Sequence, residues 1–115
     1  MKIHGSCHCE RIAFEAELDP ARVGLCHCTD CQSLSGSAFT LYAQVQREAF
    51  RLLRGDTECG SRLWAAAEKD TPLYNLRVGT LRERAELRPR VQLWCRSAMP
   101  WLREIDAVPK KMQGA

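Results

Sequence analysis

The stretch CHCTDC at residues 26–31 places three cysteines within six positions and decides how this chain is interpreted. In an extended segment alternate side chains share a face, so Cys26 and Cys28 point to one side while His27 points away, toward solvent or a local hydrogen bond. Cys31 then returns after a turn. Zinc held by three protein ligands, with a fourth position open, is the arrangement of a catalytic site. The stretch therefore predicts catalytic zinc.

A second triplet, Cys7-His8-Cys9, repeats the spacing of the first one. Two thiolates do not complete a tetrahedral zinc site, so Cys7 and Cys9 need partners from elsewhere, and Cys59 is the obvious third ligand. The chain holds seven cysteines, an odd number that cannot be fully paired within it. Free thiols of this kind favour metal binding in a reducing compartment over a disulfide scaffold.

Composition limits the class of protein. The 115 residues are 45% hydrophobic and 27% charged, which predicts one soluble domain over residues 1–115. Neither a signal peptide nor a run of roughly 18 apolar residues is visible, so we expect a cytoplasmic protein without a membrane partner. The net charge of +3 is modest and its basic residues are scattered, which argues against a nucleic-acid partner.

Hydrophobic alternation predicts a mainly β fold. Residues 11–18 and 37–45 read as strands, the second of them central, and residues 73–80 and 90–95 read as strands with one buried face. Residues 48–53 fit a helical turn or a strand equally well. Residues 81–87 fit one short helical turn. Cys95, inside one of these strands, is expected to be a small buried residue.

Three segments together resemble one known family. The three segments are Gly5–Cys9 (GSCHC), Cys26–Cys31 leading into Ser35–Phe39 (SGSAF), and Trp94–Leu102 (WCRSAMPWL). They are similar to the glutathione-dependent formaldehyde-activating enzymes, a family that includes centromere protein V-like members. The likeness extends over nearly the whole chain. It implies a β-tent fold of coiled antiparallel sheets with zinc-binding cysteine loops, little helix and two zinc sites.

The resemblance assigns roles to the cysteines. It implies that Cys26, Cys28 and Cys31 form the catalytic zinc site and that Cys7 and Cys9 form half of a structural one.

The other half of the structural site departs from the family. The family usually has Cys-x-x-Cys-Gly-Thr there, and in this chain Asp56 stands at the first cysteine and Cys59 at the second. Aspartate is a harder zinc ligand than thiolate. Two outcomes stay open, a zinc bound by Cys7, Cys9, Cys59 and Asp56, or an empty or weakened site. Glu58 competes with Asp56 as the inward carboxylate.

The activity that the resemblance implies is that of a zinc-dependent carbon-sulfur lyase. Its substrate would be S-hydroxymethylglutathione or a related thiol-aldehyde adduct, with glutathione or a similar thiol as co-substrate. Ser35, Gly36 and Trp101 are candidate ligand-binding residues, although a plain turn explains Ser35 and Gly36 equally well and Trp101 fits a core position. Arg62, Arg77 and Arg96 are candidate partners of a ligand carboxylate.

Two other classes of function remain open at this stage. A zinc-stabilised β-tent domain can serve as a binding module without catalysis, if Asp56 and the connection from Leu52 to Asp56, which is shorter than in typical family members, close the pocket. A thiol redox enzyme, similar to the methionine sulfoxide reductases, would need a reactive cysteine free of metal, with Cys59 or Cys95 as the choices. The oligomeric state does not follow from the sequence.

Overall fold

A computed structural model describes residues 1–55, 63–65 and 72–114. These residues form a mainly β structure, as predicted, with two sheets and a single α-helix among them. The strands are β1 (Lys2–Ser6), β2 (Ala13–Glu17), β3 (Val23–Cys26), β4 (Thr40–Gln46), β5 (Phe50–Arg54), β6 (Trp64–Ala65), β7 (Leu73–Arg77) and β8 (Val91–Leu93), and the helix is α1 (Thr29–Ser35). These elements are connected or followed by 3-10 segments at Pro20–Arg22, Arg47–Ala49, Val78–Thr80, Arg84–Glu86, Cys95–Ser97 and Pro100–Ala107.

The smaller sheet has the strand order β1-β2-β5 and is antiparallel. Its inner face carries Ile3 and Phe14, both fully buried. Gly5 pairs with Phe14 across the β1–β2 ladder, and a Cβ at Gly5 would lie only 2.2 Å from the Phe14 ring. The absence of a side chain at Gly5 is what lets the Phe14 ring pack there.

The larger sheet has the order β6-β7-β4-β3-β8, with β4 near its middle as predicted. Its described pairs are antiparallel except β3 with β8, which is parallel. Because side chains alternate along a strand, Ala43 and Val45 of β4 enter the core while Tyr42 and Gln44 lie on the opposite face. That opposite face carries the candidate site.

One hydrophobic core joins the two sheets. Aromatic rings close one side of it, with Phe14, Phe50, Trp64 and Tyr74 at centroid separations between 4.9 and 6.4 Å. The buried core residues are Ile3, Cys7, Ile12, Phe14, Ala16, Leu18, Val23, Ala43, Val45, Leu63, Leu76, Val78, Leu81 and Leu87. Burial of this apolar surface is the main favourable term in folding.

The structure corrects two expectations from the sequence, one about a strand and one about a turn, and resolves a third. The predicted buried face of residues 90–95 is wrong, because all three residues of β8 are exposed on an edge strand. The sequence of residues 48–53 fits a helical turn and a strand equally well, and the structure contains both, a 3-10 turn at Arg47–Ala49 followed by β5. Where the sequence predicted only a turn before Cys31, the chain forms α1.

Among the described helices none is long and apolar enough to cross a membrane.

Candidate metal centre

The first cysteine stretch folds into a strand end followed by a helix start. Cys26 is the last residue of β3, Cys28 is the N-cap of α1, and Cys31 lies in its first turn. The three Sγ atoms all lie within 4.8 Å of one another. The structure thus brings the three predicted catalytic-site cysteines together.

Local hydrogen bonds hold this geometry. The backbone N–H of Cys31 donates to the Cys28 Sγ atom at 3.3 Å, so a thiol takes the role that a serine or aspartate usually has at a helix N-cap. The Thr40 hydroxyl of β4 donates to the Cys31 carbonyl oxygen at 3.1 Å. The cluster is therefore tied both to its own helix and to the neighbouring strand.

The donor set fits zinc. Two thiolates bound to one tetrahedral zinc at about 2.3 Å are roughly 3.8 Å apart, so the sulfurs need to approach by at most about 1 Å. Cysteine thiolate is one of the common zinc ligands in proteins, and soft sulfur ligands select zinc over hard cations. Cys26, Cys28 and Cys31 are the residues that would hold the ion.

The thiols differ in acidity before any metal binds. The hydrogen bond from the Cys31 backbone lowers the pKa of Cys28, which favours its thiolate. Burial, together with hydrogen bonding to Cys28 and Cys26, raises the pKa of Cys31 to about 12. Cys28 is thus more ready than Cys31 to ligate a metal, because Cys31 has to lose a proton to do so.

His27 does not join the cluster, in agreement with its predicted orientation. Its side chain is buried, with 3% exposure, and Nε2 lies 2.8 Å from the Gln92 Oε1 atom of β8. The His27 backbone N–H donates to the Leu93 carbonyl oxygen at 3.0 Å. The sequence left solvent or a local hydrogen bond open for this side chain, and neither is observed, because its partner Gln92 is 65 residues away along the chain.

A cavity of about 180 Å³ opens beside the cysteines. Apart from two of the cysteines and Leu93, its walls are polar side chains from β4 and β7 that the site prediction did not include. Its described lining residues are Cys26, Cys31, Thr40, Tyr42, Gln44, Asn75, Arg77 and Leu93. Burial and the nearby sulfurs of Cys26 and Cys31 raise the pKa of Tyr42, so its hydroxyl stays protonated at neutral pH.

The signal for this wall was present in the sequence. Thr40, Tyr42 and Gln44 occupy every second position of a strand whose other face is apolar, which marks a polar face. Of the arginines considered at the sequence level, Arg77 lines the cavity and Arg96 does not, whereas Arg62 lies outside the described residues.

The predicted ligand-binding residues lie elsewhere around the helix and the C-terminal segment. Gly36 ends α1 with φ of 62°, and the Ser35 hydroxyl donates to the Phe39 carbonyl oxygen at 3.2 Å. Trp101 is 50% exposed and lines a different surface cleft with Glu104 and Val108. None of the three lines the cavity beside the cysteines, and their binding role stays a prediction.

The second cysteine triplet is compatible with a second site. Cys7 is buried, and its Sγ atom lies 3.5 Å from that of Cys9, close to the separation of two thiolates on one zinc. The Ile12 backbone N–H donates to the Cys7 Sγ atom at 3.3 Å. Cys59 and Asp56, the proposed remaining ligands, and the competing Glu58 lie outside the described residues. Occupancy of this site stays a prediction.

Cys95 is the one cysteine whose described environment contradicts the sequence analysis. It was expected to be buried in a strand, but it is exposed in the 3-10 turn Cys95–Ser97. The strand ends at Leu93, and Trp94 takes a left-handed backbone conformation with φ of 56°. That reversal turns the chain away from the sheet before Cys95.

Comparison with known proteins gives a match to a family model. The family model described as glutathione-dependent formaldehyde-activating enzyme matches residues 2–58, which include both cysteine triplets and Cys31. No curated protein matches the chain.

Proposed function

Because residues 2–58 place the chain in the glutathione-dependent formaldehyde-activating enzyme family, we propose that it is a zinc-dependent carbon-sulfur lyase. The proposed substrate is S-hydroxymethylglutathione or a related thiol-aldehyde adduct, and the proposed co-substrate is glutathione or a similar thiol. The observation that carries the proposal is the meeting of three cysteine sulfurs, with Cys26 and Cys31 at the wall of a cavity. We further propose one zinc-binding domain over residues 1–115, acting in the cytoplasm.

The reaction breaks one carbon-sulfur bond. The adduct RS–CH2–OH gives RSH and formaldehyde, the hydroxyl proton leaves the oxygen, and the departing sulfur takes up a proton. When bound, zinc lowers the pKa of a thiol that contacts it and polarises a carbonyl oxygen. The reverse direction joins the same two components.

The chain's own residues hold and orient the reactants. Cys26, Cys28 and Cys31 would hold the ion with three ligands, which would leave a position for a reactant. The protonated Tyr42 hydroxyl lines the adjoining cavity and is a hydrogen-bond donor for the aldehyde oxygen. Holding thiol and aldehyde side by side replaces a bimolecular encounter with a step within one complex.

The direct test is an NMR exchange measurement of glutathione with formaldehyde, with and without the zinc-loaded protein. Adducts of this kind also form without a catalyst, so the exchange rate must exceed that of the protein-free sample. We expect exchange above this background from the wild type and none above it from Cys28→Ser. The exposed Cys95→Ser is the matched control and should keep the wild-type rate.

Two outcomes count against the proposal. Exchange retained in Cys28→Ser would show that this cysteine cluster is not the catalytic site. A zinc-loaded wild type without exchange would favour the binding module instead.

A further inference from the structure

His27 lies between two of the candidate metal ligands and is held by hydrogen bonds on both sides. Its backbone N–H donates to the Leu93 carbonyl oxygen at 3.0 Å, and its ring Nε2 atom lies 2.8 Å from the Gln92 Oε1 atom. Its carbonyl oxygen accepts a hydrogen bond at 2.7 Å from the Nε2 atom of Gln32, the residue that follows Cys31 in α1. The residue between the ligands is therefore fixed at its N–H, its ring and its carbonyl oxygen.

Gln32 makes a second hydrogen bond from the same nitrogen atom. Nε2 also donates to the carbonyl oxygen of Ser97, which ends the 3-10 turn Cys95–Ser97, at 2.9 Å. A side-chain amide nitrogen has two N–H donors, and both are used here. The orientation of the amide is determined as well, because backbone carbonyls can only accept. Gln32 thus joins the start of α1 to a segment 65 residues later in the chain.

The hydrogen bond to the His27 carbonyl oxygen acts on the backbone of a candidate ligand. This oxygen lies in one peptide plane with the nitrogen and Cα atoms of Cys28, and the plane resists twisting. A donor held against the oxygen therefore restricts where the Cys28 Cα atom can lie. The Cys28 Sγ atom in turn accepts the Cys31 backbone N–H at 3.3 Å. Two of the three candidate ligands are thus linked to the Gln32 contact.

We propose that Gln32 is a positioning residue that holds Cys28 and Cys31 for zinc by tying the backbone between the ligands to the C-terminal turn. The three sulfurs already lie within 4.8 Å of one another, so zinc needs only a small further approach from a backbone held in place. Loss of a group that orients metal ligands without touching the metal typically weakens metal binding by about 10–100-fold. The inference rests on zinc binding, which is one part of the proposed function, and does not depend on the lyase reaction.

The first experiment measures zinc affinity by competition with a chromophoric chelator. Gln32→Met keeps the length of the side chain and removes both donors. We expect this variant to bind zinc at least about tenfold more weakly than the wild type. Gln46→Met makes the same change at the exposed end of β4 and is the matched control, which should keep the wild-type affinity.

Cobalt(II) substitution separates positioning of the ligands from general support of the fold. The absorption bands of cobalt bound to thiolates depend on the arrangement of the ligands around the ion. We expect altered bands in metal-saturated Gln32→Met and wild-type bands in Gln46→Met. Wild-type zinc affinity in Gln32→Met, or weaker binding with unchanged cobalt bands, would overturn the inference and leave the proposed function standing. A wild type that binds no zinc would refute both.

A measurement on the wild type keeps the inference testable if Gln32→Met does not fold. Hydrogen exchange of side-chain amide protons is followed by NMR with and without zinc. We expect the Gln32 protons to exchange more slowly than those of the exposed Gln46. Zinc should slow them further, because a contact that favours zinc binding is favoured by zinc to the same extent. Gln32 protons that exchange as fast as those of Gln46, or at a rate that zinc does not change, would overturn the proposal.

Discussion

The Tyr42 side chain lies across the backbone of Gly24, its partner in the β3–β4 ladder. A Cβ at Gly24 would lie 2.3 Å from the Tyr42 hydroxyl oxygen and 2.5 Å from the ring carbon that carries it. Gly24 thus leaves the space in which the tyrosine rests beside Cys26. The Tyr42 hydroxyl can line the cavity because Gly24, two residues before the candidate metal ligand Cys26, has no side chain.

Gly24→Ala should destabilise the protein and displace Tyr42. Forced overpacking of this kind costs about 1–3 kcal/mol, and thermal unfolding of the zinc-loaded protein measures it. Removal of the ring in Tyr42→Ala should relieve the overlap, so adding Gly24→Ala to that variant should cost much less. Gly79→Ala, where nothing lies within 4 Å of the added carbon, is the control. Additive costs of the two substitutions would contradict the contact.

Removal of zinc should lower the melting temperature. A ligand that binds only the folded state stabilises it by about 2.7 kcal/mol at one hundred times its dissociation constant. Cys31→Ser should lose most of this zinc-dependent shift, whereas Cys95→Ser, with its exposed thiol, should keep it. Scanning fluorimetry with added zinc or chelator gives the comparison. The same melting temperature for wild type with and without zinc would count against a site at Cys26, Cys28 and Cys31.

The cysteine site could be predicted from the sequence because its three ligands are close along the chain, where strand alternation and a turn fix their relative positions. The cavity wall could be predicted only in part. The polar face of β4 is visible in the alternation, but Asn75 is 31 residues from Gln44. Their contact depends on the register of β4 with β7, and a shift of one residue would turn Asn75 to the other face.

Helix α1 was missed for a local reason. Its seven residues, TDCQSLS, show no apolar period of a helix, and none of them is buried. The segment is helical because its two ends are capped, by the Cys28 thiol at the start and by the left-handed Gly36 at the end. A cysteine in the N-cap role is not a usual helix signal.

The second site predicts a change in zinc content. If Cys7 and Cys9 share a zinc, their replacement by serine should lower the bound zinc by one ion per chain without affecting Cys26, Cys28 and Cys31. Replacement of Asp56 by cysteine, the residue usual in the family, should raise metal content or thermal stability if the site is weakened. Metal analysis of purified protein measures both. Zinc content unchanged by the Cys7→Ser and Cys9→Ser substitutions would show that the second site is empty.

The contact between His4 and Glu83 predicts that the stability of the folded protein depends on pH in the acidic range. The Glu83 carboxylate accepts the His4 backbone N–H at 2.8 Å and lies 2.9 Å from the His4 Nδ1 atom, which ties β1 to a segment 79 residues away. Burial alone would raise the pKa of Glu83, but the hydrogen bonds from His4 outweigh it and hold the pKa below the usual 4.5.

Because the folded state lowers this pKa, the unfolded chain binds the proton more readily. The stabilisation is complete above about pH 4.5 and is lost as the pH falls through the lower folded-state value. We expect Glu83→Gln to be less stable than the wild type at pH 7, by about 1–2 kcal/mol for a hydrogen-bonded carboxylate, and the two to converge as the pH falls below the folded-state pKa of Glu83. Urea unfolding between pH 3 and pH 7 measures the difference, with the exposed Glu86→Gln as control. A difference that stays constant over this range would mean that the Glu83 charge does not contribute.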